Sequence, residues 1–256
     1  MSMAVSVPVA LVTGGVRGVG AGITRAYLRA GYTVVACARR DVDVPIQVDG
    51  RVATYMPCDV RNESDVVNTV DAILTQYGRL DTVVNNAGGA PFALAHNASA
   101  NFHRKIVELN LLAPLLVAQA ANSVMQDQET GGSIVMISSV SAQRPSPGTA
   151  AYGAAKAGLD SLTKSLAVEW APKVRVNGLA VGMVETEQSE LHYGDADGIA
   201  RVARTVPLGR LASPEDVGNS AVFLSSESAS YISGATLTVH GGGERPSFLD
   251  AATTNN

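Results

Sequence analysis

Cysteine, charge and aromatic residues are all scarce in this 256-residue chain. Only Cys37 and Cys58 are present, which leaves no disulfide framework and no cysteine set with metal-ligand spacing. Each falls near the end of an expected strand and reads as a small buried hydrophobe. The four histidines, His96, His103, His192 and His240, are scattered, so no metal site is expected. Charged residues make up 16% against 46% hydrophobic, a balance that excludes a disordered chain and provides for a substantial core. The net charge of -4 is spread without a basic block, which speaks against nucleic-acid binding. From Met1 to Val9 no basic segment leads into a long apolar run, and no later stretch is read as reaching the length of a membrane span. The expectation is a cytoplasmic protein without a membrane partner.

What is present is alternation. Short apolar runs at Pro8–Thr13, Tyr32–Ala38, Arg51–Met56, Leu80–Val84, Ser133–Ile137, Val174–Leu179 and Ala235–Val239 read as strands. Helical periodicity separates them, up to Ala30 and over Asn62–Tyr77, Asn101–Met125, Tyr152–Ala167 and Pro214–Ser225. Residues 41–50 contain Pro45 and show no helical pattern, so a crossover helix there is expected to be short or absent. Strand and helix in turn imply an α/β fold, a Rossmann-type doubly wound sheet of seven mostly parallel strands. Without repeats or a linker-like composition shift, residues 1–256 are expected to form a single domain. Its core is placed at about 8–243, with an irregular active-site lid at 183–207 and a polar tail at 244–256.

Several residues in this frame carry chemistry. Gly14, Gly18 and Gly20 follow the first strand and open a helix, the context in which glycines let a backbone turn sharply and a pyrophosphate sit on a helix N-terminus. Arg39 and Arg40 follow the second strand, where arginine suits the 2′-phosphate of NADP(H) and an acid would suit NAD(H). Asp41 and Asp43 come late for the acid, and Arg17 is a second phosphate partner. Asn85-Asn86-Ala87-Gly88 ends the fourth strand on the edge where open α/β sheets bind ligands. Asn110 is a polar amide within an apolar helical run and needs its hydrogen bonds met. Ser138 and Ser139 end the fifth strand. Thirteen positions later comes Tyr152-Gly153-Ala154-Ala155-Lys156, whose spacing puts phenol and ammonium on one helix face. A nearby cation favours phenolate and is expected to lower the tyrosine pKa toward the working range. The small residues between them let a flat cofactor approach.

These elements, in this order, resemble the short-chain dehydrogenase/reductase family from about Val9 to Gly243. The match rests on Thr13–Gly20, Asp59-Val60, Asn85–Gly88, the set Asn110, Ser139, Tyr152 and Lys156, and Tyr231-Ile232-Ser233-Gly234. The resemblance implies an NAD(P)-dependent oxidoreductase that moves a hydride between nicotinamide and a ketone or secondary alcohol, with NADP(H) preferred. Tyr152 is implied as the general acid/base, and Ser139 as the donor to the substrate oxygen; the family's spacing selects it over Ser138 and Ser141. Lys156 is implied to contact the nicotinamide ribose, and Asn110 to hold a water between Lys156 and solvent. Cofactor contacts are implied at Gly14, Arg17, Gly18, Val19, Gly20, Arg39, Arg40, Asp59, Val60, Asn86, Ala87, Gly88, Tyr152, Lys156, Gly182, Val184 and Thr186. Val181-Gly182 stands where relatives usually carry Pro-Gly, a departure expected to loosen the nicotinamide loop. Relatives are commonly tetramers, so a homotetramer or homodimer is implied. Leu159, Leu162 and Leu166 suit such an interface or ordinary core packing equally.

Among substrates, a 3-oxoacyl thioester on acyl carrier protein or coenzyme A is one alternative. The stretch Gln126-Asp127-Gln128-Glu129 lacks the basic residues that an acidic carrier would meet. A dinucleotide-sensing protein without catalysis is a second alternative, although sensors typically lose one of the four catalytic residues. An epimerase or dehydratase of the longer branch would need a further substrate domain. Arg201 and Arg204 share a helix face in the expected lid, where they pair with a substrate anion or, more simply, form a solvated face.

Overall fold

A computed structural model describes residues 7–40 and 44–253. Its centre is β1 (Val9–Thr13), whose five residues are all buried. Val9 and Leu11 point into one apolar cluster and Ala10 and Val12 into another. Strands buried on both faces read as continuous apolar runs, which is why this one lacks polar alternation. The other strands of the sheet are β2 (Thr33–Ala38), β5 (Thr54–Pro57), β6 (Thr82–Asn85), β7 (Gly132–Ser139), β8 (Val174–Val181) and β9 (Thr236–Val239). Their order is β5-β2-β1-β6-β7-β8-β9, and every pairing is parallel.

Helices α2 (Glu63–Tyr77), α4 (Ala113–Asp127) and α5 (Ala150–Glu169) supply the first cluster, through Val66, Val117 and Leu159 among others. Helices α1 (Gly18–Arg29) and α8 (Pro214–Ser225) supply the second, through Ile23, Tyr27 and Val217. The chain leaves β1 for β2 on one side and returns to β6 on the other. That reversal opens a crevice at the carboxyl ends of β1 and β6, where open α/β sheets take ligands.

The expected third strand, Arg51–Met56, divides. Gln47–Val48 (β3) and Arg51–Val52 (β4) form a small antiparallel hairpin, and only β5 joins the main sheet. Asp49, with φ 50°, and Gly50 make the turn that the apolar pattern hid. Asp41 and Asp43 lie outside the described residues.

The long helix also differs from a regular one. Helix α3 (Ala100–Val107) passes through a π turn, Glu108–Leu112, into α4. The Asn110 side chain donates to Ile106 O at 2.9 Å, taking the carbonyl that a regular helix offers to the Asn110 backbone N–H, and the ladder opens to i→i+5. By length and composition Ala100–Asp127 is apolar enough to cross a membrane, contrary to the sequence expectation. Its second half, α4, packs into the core, with Ala113, Val117, Ala118, Ala121 and Met125 buried in the first cluster.

Between β8 and α8, the expected lid contains α6 (Glu190–Tyr193) and α7 (Ala196–Thr205), the latter capped by Asp195. The tail packs rather than trailing: Arg245 N–H donates to Thr205 O at 3.1 Å, and α9 (Ser247–Ala251) follows.

Candidate functional site

The crevice is held open by hydrogen bonds between the two strand ends. Thr13 Oγ1 accepts from the N–H groups of Asn86 and Ala87, both at 3.0 Å. Asn86 Nδ2 donates back to Thr13 O at 2.9 Å and Gly14 O at 3.2 Å. Gly20 is required here, because a Cβ on it would stand 2.0 Å from Gly14 O and 2.6 Å from Asn86 Nδ2. Over this staple lies a cleft of about 660 Å³.

Most of the expected residues meet in that cleft. Gly14, Arg17, Gly18, Val19, Gly20, Arg39 and Arg40 line it, with Val60, Asn86, Ala87 and Gly88. Ser139, Tyr152 and Lys156 line it too, with Gly182, Val184 and Thr186. Two expected residues stand aside. Asp59 lines a neighbouring cavity beside Arg39, and its carboxylate is taken by Arg61, at 2.9 Å from Nε and 2.5 Å from Nη2. That guanidinium holds the Asp59 pKa below the usual carboxylate range.

Asn110 is fully buried. Its Oδ1 accepts from Gly89 N–H at 2.8 Å, and its Nδ2 donates to Gly89 O at 3.0 Å as well as to Ile106 O. The polar partner it needs is therefore Gly89 in the loop after β6, which itself lines the cleft. A Cβ on Gly88 would stand 2.7 Å from Asn110 Oδ1 and 3.4 Å from Lys156 Nζ, so glycine lets the loop slide between these two side chains.

Helix spacing brings Tyr152 and Lys156 together, with Nζ 5.7 Å from the centre of the phenol ring. The ammonium donates to Ile137 O at 2.7 Å. Burial draws the Lys156 pKa down to about 8, opposed by the charge of Asp160 one turn on. Asp160 Oδ1 is itself buried without a hydrogen-bond partner. The expectation that Lys156 lowers the Tyr152 pKa is not met. Burial raises it, and only the hydrogen bond from Ser139 acts the other way. Removing the phenolate from water outweighs that bond, so the hydroxyl keeps its proton at neutral pH.

Val181 is a strand residue paired with Val239, and Gly182 N–H donates to Val239 O at 2.9 Å. Sheet pairing thus ties Val181-Gly182 down, against the expected loosening. Arg201 and Arg204 are exposed on α7 and do not line the cleft. Leu159 and Leu166 are core residues with Leu162 packed against them, and Gln128 bonds to Leu80 and Gly131.

Sequence reasoning missed Glu187, Gln188 and His192, which reach the cleft from the segment between β8 and α7, and the lining residues Cys37 and Cys58. Glu187 directly follows Thr186, and that adjacency was the one available signal. Both cysteines are free and buried. They share a hydrogen bond that pushes the Cys37 thiol up and draws Cys58 down. Among the described residues, no three His, Cys, Asp or Glu side chains gather as a metal site.

Known proteins resemble this chain in sequence and fold. A family model described as enoyl-(acyl carrier protein) reductase matches residues 14–244. The human dehydrogenase/reductase SDR family member 4 is 35% identical over 241 residues, covering 91% of this chain and 86% of that protein. The 3beta-hydroxysteroid dehydrogenase 1 of Eggerthella lenta is 34% identical over 239 residues, covering 91% and 92%. The ligand-free aldohexose dehydrogenase of Thermoplasma acidophilum superposes with a TM-score of 0.85 at 28% identity, over 97% of this chain and 96% of that one. A seven-stranded parallel sheet, a glycine turn at its reversal point and relatives that match nearly end to end make this chain an oxidoreductase of the short-chain dehydrogenase/reductase family.

Proposed function

We propose that the chain reduces a ketone, or oxidises the corresponding secondary alcohol, with NADP(H) preferred over NAD(H) and Tyr152 as the proton-transfer group. The observation that carries this reading is the meeting of Ser139, Tyr152 and Lys156 in the same cleft as the amides of the glycine turn. The residues fit a dinucleotide. The first turn of α1 offers backbone N–H groups to a pyrophosphate, and Arg17, Arg39 and Arg40 line the same cleft, where guanidinium groups suit a 2′-phosphate. A bound nicotinamide supplies or accepts the hydride. The chain does the rest: Ser139 donates to the substrate oxygen and orients it, and the Tyr152 hydroxyl passes its proton to that oxygen. Because burial keeps Tyr152 protonated, the resting site is prepared for the reductive direction. The Lys156 ammonium then steadies the phenolate that forms. Asn110 supports the geometry from behind by holding Gly89.

The test is Tyr152→Phe, which removes the transferable proton and little else. Turnover should fall about a hundredfold or more while NADPH binding persists; near-normal turnover refutes the assignment. The ratio of kcat/KM for NADPH to that for NADH tests the cofactor, and a preference for NADH would show that the arginines do not read a phosphate. The relative named as a hydroxysteroid dehydrogenase makes cyclic ketones a sensible first panel.

A further inference from the structure

Helix α1 begins without local help. The Arg17 side chain makes no capping bond, and no acidic residue stands in the first turn. By contrast α2, α3, α7 and α8 are capped by Asn62, Ser99, Asp195 and Ser213. The amide at the start of α1 is nevertheless engaged. Glu187, 169 positions away, accepts from Gly18 N–H through Oε1 at 3.0 Å. The turn that presents Glu187 is itself ordered: Ser189 Oγ accepts from Thr186 N–H at 2.8 Å, and Thr186 Oγ1 accepts from Gln188 N–H at 3.2 Å. This turn leads directly into α6, whose His192 lines the same cleft.

We propose that Glu187 is an internal stand-in for the cofactor's pyrophosphate, latching the lid onto the phosphate-binding turn until the cofactor displaces it. The inference rests on the dinucleotide reading above. The positive end of a helix attracts whichever anion is nearest, and a single N–H cannot serve a carboxylate and a phosphate at full strength. When the pyrophosphate arrives, the Glu187 carboxylate must leave or face another anion at close range. Cofactor binding therefore frees the first turn of the lid, and affinity for the cofactor is set below what the bare turn would give.

The consequence has an unusual sign, since removing a side chain from the cleft should tighten binding. Glu187→Gln and Glu187→Ala, titrated with NADPH and with NADH by nicotinamide fluorescence at low salt, should bind two- to fivefold more tightly than wild type. That range follows from the usual strength of an exposed carboxylate at a helix N-terminus, and the gain should shrink as salt screens it. Inorganic pyrophosphate should compete more effectively against both variants. Hydrogen exchange gives a second readout: Glu187→Ala without cofactor should exchange faster over 186–193 than wild type. Unchanged or weaker cofactor binding in both variants overturns the latch and leaves the oxidoreductase reading intact. Failure of the wild type to bind either dinucleotide overturns both.

Discussion

The ammonium of Lys156 should govern how activity fades at alkaline pH. Burial lowers its pKa from 10.5 to about 8, so the charged fraction is roughly nine-tenths at pH 7 and one-tenth at pH 9. Tyr152 is pushed upward by burial and stays protonated across that interval, leaving the lysine as the group that titrates. A neutral amine cannot steady the phenolate formed when Tyr152 gives up its proton. Reduction should therefore lose about tenfold in kcat/KM between pH 7 and pH 9. The parameter to follow is kcat/KM for NADPH at saturating ketone and constant ionic strength, because it reports groups of the cofactor-free enzyme. Lys156→Arg should lower the plateau, since the guanidinium has a different shape, and should abolish the alkaline limb, since it stays charged. Cys58, whose thiol is drawn down by Cys37, is the rival titrating group, and Cys58→Ser should leave the limb in place. A flat wild-type profile to pH 9.5, or an unchanged limb in Lys156→Arg, refutes the reasoning.

Other consequences follow from the same geometry. The depressed Lys156 pKa means that the folded state binds this proton more weakly than the unfolded chain. The cost, about 3 kcal/mol from 10.5 to about 8, is fully present below pH 8 and is relieved between pH 8 and 10.5. Lys156→Met should thus be more stable than wild type at pH 7 by on the order of 1–3 kcal/mol, with the advantage shrinking toward pH 10.5 in urea titrations; a variant less stable at pH 7 would contradict this. Gly20→Ala should abolish NADPH binding, because its Cβ meets Gly14 O and Asn86 Nδ2; a calorimetric titration with wild-type affinity would show that the turn adapts. Ser213 accepts from Asp216 N–H at 3.2 Å in a capping box. Ser213→Ala should cost about 1 kcal/mol in chemical denaturation with kcat unchanged, and a tenfold fall in kcat would tie this cap to the site.

Local patterns decided much of this protein before folding enters. Apolar runs with the right punctuation specify β1, β2 and β8, and helical spacing alone sets Tyr152 and Lys156 on one face of α5. These properties reside in neighbouring residues, so the chain order exposes them. Where the outcome depends on groups distant in sequence, only the tertiary structure decides. Asn110 stood out as a polar residue in an apolar run, yet its partner is Gly89, brought there by the sheet. The spacing of phenol and ammonium suggested an acidified tyrosine, but burial by surrounding elements raises the tyrosine pKa instead. Beyond its place next to Thr186, Glu187 carries no local signal, because its partner Gly18 lies 169 positions away. Desolvation and long-range hydrogen bonding are properties of the packed assembly, and they set the protonation of the site even where the sequence names its residues.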